Sequence, residues 1–330
     1  MKLTIYDIAK LADTSVSTVS RYLNNKPIKE ENRLKIEKVM ENEGKDFTPN
    51  AMARALVSKT LKTVAVITVD IRTPHFASVA YNFEQMFTEK GYNVIICNTS
   101  LDEENLKRYI TNLIDRSVDG IAFVGSIFTE INKMPEILEM LKNIPIVVAN
   151  GYINSENSYS VLVDDIQGVI LAGDYLTKKG RKNIYFLSDE KNNSGLRKID
   201  GFNKFCKANN LDFDSHLITI EQSILGGEEG IKTILNNDPN VDSVICGNDI
   251  VGVGVINYLN NLGIKAGHDI DVISYNNTLY SEITNPKMTI INNRPDKQAH
   301  YLVDILEKLI LKEECDSIII KPELIIKEST

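Results

Sequence analysis

The sequence predicts an all-α head that carries a helix-turn-helix, followed by an α/β core of two doubly wound lobes. Three observations predict it. Apolar residues between Ile5 and Leu23 recur at helical spacing on two short segments separated by Asp13-Thr14. From Thr63 onward, short β-rich runs alternate with helical stretches. The charge is also divided. Residues 1–62 hold 12 Lys and Arg against 8 Asp and Glu, and the remainder holds 25 against 37, so a net charge of −8 conceals a mildly basic head.

The head begins at Thr4 and Asp7, a hydroxyl and a carboxylate that can satisfy free amides at a helix start. Ile5, Ile8, Ala9 and Ala12 then form an apolar stripe. After Asp13-Thr14, Ser15 can cap a second helix. Its apolar face is Val16, Val19 and Leu23, and its polar face is Ser17, Ser20, Arg21 and Asn24. Two short helices joined by a tight turn, the second turning hydroxyls and an arginine outward, make a helix-turn-helix. Leu34, Ile36, Val39 and Met40 supply a third helix over Glu30–Glu43, which Gly44 ends. Asn50–Leu56 is Ala-rich and helix-prone, but isolated helices this short are marginal in water, and composition alone makes it a linker.

In the core, strands are expected at Val64–Val69, Asn93–Cys97, Gly120–Val124, Ile144–Ala149, Ser160–Val163, Asn183–Leu187, His216–Ile220, Val241–Cys246 and Asp271–Ser274. Helices are expected near 76–90, 103–116, 134–142, 165–179, 196–209, 227–236 and 249–262. Strict alternation implies parallel sheets covered on both faces. So many strands divide more readily into two lobes than into one sheet. Such lobes bind ligands beyond the carboxyl ends of their strands.

Composition narrows the function classes. A chain of 330 residues with 43% hydrophobic and 25% charged residues is an ordinary globular one. No apolar run approaches the about 18 residues of a membrane span, and Met1-Lys2-Leu3-Thr4 leads at once into polar helical sequence, so a cytoplasmic protein without a signal peptide is expected. Cys97, Cys206, Cys246 and Cys315 lack CxxC spacing, so neither disulfides nor structural zinc are expected. Gly252-Val253-Gly254 lacks the GxGxxG spacing and falls inside a helical run, which removes a dinucleotide reading. There is no P-loop, GxSxG elbow or HExxH, and acid pairs such as Asp164-Asp165 read as helix N-terminal charges. No cofactor and no enzymatic activity are expected.

T-I-Y-D-I-A-K-L-A followed by S-V-S-T-V-S-R-Y-L-N, with Thr48-Pro49-Asn50-Ala51-Met52-Ala53-Arg54-Ala55-Leu56 further on, resembles the N-terminal signature and hinge of the LacI/GalR family of bacterial transcription regulators. Matching landmarks continue almost to the end of the chain. Departures are Asp13 and Thr14 in place of a turn glycine and valine, Lys29 in place of a capping serine, and Lys45-Asp46 as an insertion before the hinge. The resemblance implies a periplasmic-binding-protein-like core whose chain crosses three times between lobes. The implied boundaries are a helix-turn-helix domain at 1–47, a hinge at 48–62 and a core at 63–330. Lobe one would span about 63–162 and 291–322, and lobe two about 163–290 and 323–330. It implies a repressor that binds double-stranded, pseudo-palindromic operator DNA as a homodimer, with a small-molecule effector, a sugar or sugar phosphate. Two alternatives stay open: control by a phosphoprotein co-regulator, and a cytoplasmic solute-binding protein.

The resemblance also assigns residues. Val16, Ser17 and Arg21 would meet base edges while Thr18 and Ser20 hold phosphates, with Thr4, Ser15 and Asn24 also at the DNA. In the hinge, Asn50, Ala53 and Leu56 would enter the minor groove, Leu56 as a wedge. In the core, Asp70-Ile71-Arg72-Thr73-Pro74-His75-Phe76 resembles D-x-x-N-P-F-F, which maps the effector-lining aromatics to His75 and Phe76. Arg197–Phe202 resembles R-x-x-G-[FY], whose arginine reaches the ligand, and Arg197 is assigned that role. Asn248-Asp249 resembles the family's "ND", and Asn150 ends another strand facing the same cleft. Asn276 stands where the family has a hydroxyl-accepting aspartate, and Gln222 where many members place a stacking aromatic. Both substitutions imply a ligand other than a typical neutral sugar.

Overall fold

The computed structural model describes residues 5–23, 26–43, 61–99, 102–188 and 192–330. The hinge segment 48–60 and the site residues Thr4, Asn24, Asn50, Ala53 and Leu56 lie outside the described residues. Two compact units divide the chain, one of residues 1–63 and 116–119 and the other of residues 64–115 and 120–330.

The head contains α1 (Ile5–Leu11), α2 (Val16–Leu23) and α3 (Glu30–Glu43). Ile5, Ile8, Ala9, Ala12, Val19 and Ile36 close its core, with Val16, Ile28, Val39 and Met40 packed around them. The α1–α2 turn explains a departure noted in the sequence. Asp13 takes φ 46°, the left-handed conformation for which glycine is the usual choice and which Asp tolerates better than most side chains.

The core elements are β1 (Thr63–Thr68), α4 (Pro74–Glu89), β2 (Asn93–Asn98), α5 (Glu103–Asp115), β3 (Gly120–Val124), a 3-10 segment (Ser126–Lys133), α6 (Pro135–Leu141), β4 (Ile146–Ala149) and β5 (Ser158–Val163). There follow α7 (Asp165–Lys178), β6 (Ile184–Ser188), α8 (Asn193–Asn209), α9 (Phe213–His216), β7 (Leu217–Thr219), α10 (Ile224–Asn237), β8 (Ser243–Cys246), α11 (Asp249–Asn261), β9 (Asp271–Tyr275) and α12 (Tyr280–Ile283). The chain ends with β10 (Thr289–Asn292), α13 (Pro295–Leu311), β11 (Ile318–Ile320) and β12 (Glu323–Ile325).

These strands form two six-stranded sheets, ordered β11-β5-β4-β3-β1-β2 and β12-β10-β9-β8-β6-β7. Parallel registers such as Val64↔Gly120 and Ile121↔Ile146 build the first sheet, and Ile184↔Ser243 and Thr289↔Ile273 the second. β12 runs antiparallel to β10 at the edge. The sheet order makes the chain leave the first sheet after β5, return after β10, and cross again between β11 and β12. β10 and β11 were not separated out from the sequence, because runs of four and three residues are too short to show a period.

Burial follows the alternation. Val64, Val66, Phe83, Phe87, Ala122, Val147, Leu302 and Leu306 fill one side of the first sheet. Both faces of the second are covered, by Val244, Val255 and Leu259 among others and by Val169, Phe186, Phe202 and Phe205 among others. Glycines of α10 and α11 have a packing purpose. A Cβ on Gly254 would lie 2.0 Å from the Ile224 carbonyl oxygen, and one on Gly227 would lie 2.2 Å from that of Val251. α10 and α11 therefore cross backbone to backbone. Among the described residues, no helix is long and apolar enough to cross a membrane.

Candidate functional site

In the head, Ser15 caps α2. Its Oγ lies 3.2 Å from the Thr18 N–H and 2.8 Å from the hydroxyls of both Ser17 and Thr18. Ser17 and Arg21 are exposed, and Val16 and Thr18 are half-buried. Ser20 departs from the expectation that it faces outward, since only 8% of it is exposed. The reason is helical phase. Ser20 lies beside the fully buried Val19 and one turn after the half-buried Val16, at the edge of the face that packs on the head's core. A phosphate contact from Ser20 is not supported by this placement.

In the core, the ends of strands from both sheets converge on one cleft. A cavity of about 390 Å³ is lined by residues 70 and 72–75 after β1, Gln222, Asn248–Ile250 after β8, and Asn276, Thr278 and Tyr280 after β9. A smaller annex of about 60 Å³ shares Thr73, His75, Gln222, Asn248 and Asn276 with it, and adds Phe76, Ser126, Asn150, Asn192, Ser194, Lys198 and Asn293. His75, Phe76, Asn150, Gln222, Asn248 and Asn276 are thus brought together.

His75 follows Pro74 in the first turn of α4, is 6% exposed, and meets Phe76 edge-on at 5.8 Å. Asn248 caps α11, its Oδ1 accepting from the Ile250 N–H at 3.2 Å. Asn150, at φ 60°, accepts the Val163 N–H at 3.1 Å and donates to Gln298 Oε1 at 3.3 Å. Its side chain therefore ties β4 to the segments that cross between lobes. Asn276 has φ 89°, and its Oδ1 accepts from Asn293 Nδ2 at 2.8 Å.

Arg197 requires correction, because it lines neither the cavity nor the annex. Its guanidinium holds Asp165 Oδ2, with Nε at 3.1 Å and Nη2 at 2.8 Å, and Nη2 also donates to the Asn150 carbonyl oxygen at 3.3 Å. The cation lining the annex is Lys198, which is 2% exposed. Its Nζ donates to the Gly247 carbonyl oxygen at 2.8 Å and lies 4.8 Å from the Tyr275 ring centroid. A sequence signal existed. R-x-x-G places its cation three residues before the glycine, and three before Gly201 stands Lys198, not Arg197. Gly201 itself marks the phase, since a Cβ there would lie 2.7 Å from the Ile166 carbonyl oxygen.

Carboxyl groups around the cleft are held by neighbours. Burial pushes Asp165 above the usual carboxylate range, opposed by Lys198 and Arg197. Burial likewise raises Asp249, whose Oδ2 accepts from Thr278 N at 3.0 Å and Thr278 Oγ1 at 2.5 Å. Asp70 is held low by its hydrogen bonds from Arg72.

Comparison with known proteins agrees with this architecture. The family description "Bacterial regulatory proteins, lacI family" matches residues 4–50, and "Periplasmic binding proteins and sugar binding domain of LacI family" matches residues 60–306. An HTH-type transcriptional regulator of Lachnoclostridium phytofermentans is 30% identical over 333 residues, 99% of either chain. Catabolite control protein A of Priestia megaterium is 30% identical over 327 residues, covering 97% of this chain and 96% of that one. The solved Lac repressor dimer bound to operator and the anti-inducer ONPF has the same fold, with a TM-score of 0.83 at 20% identity over 100% of this chain and 99% of that chain. These relatives are transcription regulators and not enzymes. The chain, with its helix-turn-helix head and two-lobed α/β core, belongs to the LacI family of DNA-binding transcription regulators.

Proposed function

We propose that the chain is a cytoplasmic, homodimeric repressor that binds a pseudo-palindromic operator and whose core senses a carbohydrate. Its parts are a DNA-binding domain at 1–47, a hinge at 48–62 and a sensing core at 63–330. Val16, Ser17 and Arg21 read base edges, and Ser15 and Thr18 position α2 on phosphates.

The observation that carries the sensing half is the cleft. Its volume of about 390 Å³ falls within the range of small-molecule sites, about 300–1,000 Å³. It is lined from both lobes, so closing on a ligand would change their spacing, and its amides suit a polyhydroxylated ligand.

The test is operator affinity of the full chain, measured by fluorescence anisotropy on the DNA upstream of its own gene. Sugars and sugar phosphates are then added at saturation. A coupling of about 1–3 kcal/mol would change affinity by about 5–150-fold. Failure of every sugar to shift either DNA affinity or melting temperature would refute the sensing reading, and failure to bind any pseudo-palindromic site more tightly than unrelated DNA in a randomised-site selection would refute the operator reading.

A further inference from the structure

The annex has a polarity of its own. Asn192 caps α8 by accepting the N–H groups of Ser194 and Gly195 at 3.0 and 3.1 Å, and Asn248 caps α11 in the same manner. A backbone N–H can only donate, so each cap bond fixes which end of the amide is the oxygen and leaves its NH₂ available to a ligand. Asn276 differs in that its Oδ1 accepts from a side-chain amide, Asn293 Nδ2, at 2.8 Å. Lys198 adds a buried ammonium. Among the described residues, Arg197 and Lys198 both act on the one buried carboxylate of Asp165. Among the described residues, no carboxylate lines the annex, and Asp249 lines only the larger cavity, turned onto Thr278. One acceptor breaks the pattern. Asn293 is 3% exposed, and its Oδ1 has no hydrogen-bond partner among the described residues. Leaving a buried carbonyl oxygen without a donor is unfavourable, and a ligand hydroxyl would supply one.

Size is consistent with a single functional group. A water-sized site needs about 10–15 Å³, so about 60 Å³ holds roughly four to six heavy atoms. A carboxylate or a phosphate is of that size.

We propose that this annex is an anion subsite, and that the cleft takes a carbohydrate bearing a carboxylate or phosphate. The anion sits on Lys198 and on the amide NH₂ groups of Asn192, Asn248 and Asn276, and an adjacent ligand hydroxyl donates to Asn293 Oδ1. The proposal rests on the sensing reading above and deepens it. It gives the departure at position 276 a cause. An aspartate there would accept hydroxyl hydrogens from a neutral sugar and repel an anion, whereas the uncharged Asn276 does not repel one.

The test is calorimetric titration of the full chain with matched triads: glucose, gluconate and glucose 6-phosphate, with the same sets built on ribose, galactose and mannose. At least one anionic member should bind ten-fold or more tighter than its neutral parent, and this preference should shrink with added salt. Gluconate-type and phosphate-type arms distinguish the two anions. Asn276→Asp should weaken the anionic ligand ten-fold or more while leaving its neutral parent unchanged or improved. Lys198→Arg should keep the anion preference, and Lys198→Met, if its circular dichroism shows a folded chain, should lose it. A neutral sugar that binds as well as its anionic partners in the native chain would overturn the anion subsite and leave carbohydrate sensing intact. No binding by any member, with no change in operator affinity, would overturn both.

Discussion

Replacing Arg197 with alanine should destabilise the core before it affects any ligand. Its partner Asp165 has a side chain only 2% exposed, and Arg197 is 29% exposed. Removing one member of a buried ion pair costs about 3–5 kcal/mol, because the remaining charge is left without its partner in low dielectric. Here the lower end applies. Asp165 keeps Ser194 Oγ at 2.9 Å and the nearby charge of Lys198, and Arg197 is partly in water. About 3 kcal/mol at about 2–4 °C per kcal/mol is a fall in melting temperature of roughly 6–12 °C. Calorimetry of the full chain measures it. Adding Asp165→Asn to Arg197→Ala removes the stranded carboxylate, so about 2 kcal/mol should return as a coupling energy between the two sites. The Arg197 bond to the Asn150 carbonyl is also lost, which separates α8 from the end of β4. An Arg197→Ala chain with unchanged melting temperature and an abolished effector response would refute the argument and restore Arg197 as the ligand-reading cation.

Three further predictions follow from other parts of the molecule. Gly254→Ala would favour an isolated helix by about 1 kcal/mol, yet its Cβ would lie 2.0 Å from the Ile224 carbonyl oxygen, so denaturant titration should show a net loss of about 2–3 kcal/mol, and a gain would show that α10 and α11 separate freely. Asp249 holds its proton to higher pH when folded than when unfolded, so its contribution to stability is present at low pH and lost as pH rises through the unfolded value of 3.8 toward the raised folded one. The stability of Asp249→Asn relative to the native chain should therefore grow as pH rises above about 4 and level off once the raised folded value is passed, and a flat or reversed trend counts against the burial argument. Exchanging Val16 and Ser17 together should alter operator preference by about 1–3 kcal/mol per affected base pair in a randomised-site selection, and an unchanged consensus would remove α2 from base reading.

How much of this was legible from the sequence depended on the range of the interactions involved. The amphipathic stripe of Ile5, Ile8, Ala9 and Val19 is a local periodicity, and it read directly as two helices whose buried residues are now seen in one core. The third helix was read as Glu30–Glu43 and is found there. In the core, the strands read from alternation agree with the structure to within a few residues, because each buries an apolar run long enough to show itself. The phase of short polar segments was harder. The hydroxyl of Ser20 suggests an outward position, whereas its place beside the buried Val19 sets it at the packed face.

The cleft shows the division most clearly. Sequence brought His75, Phe76, Asn248 and Asn276 to the carboxyl ends of strands, where the topology of parallel sheets puts ligands. It could not decide between adjacent cations. Arg197 and Lys198 lie on either side of the Gly201 stripe, and which of them enters the cleft depends on where Asp165 and the Gly247 carbonyl stand, 32 and 49 residues away. The polarity of the amides is likewise a tertiary property. The oxygens of Asn192 and Asn248 are held by the helix N-termini they cap, and that of Asn276 by Asn293 from the next strand end. Local periodicity determines which elements exist, since it acts within a turn or a strand. Which end of a side chain a ligand meets is decided by partners distant in sequence, and only folding brings those partners together.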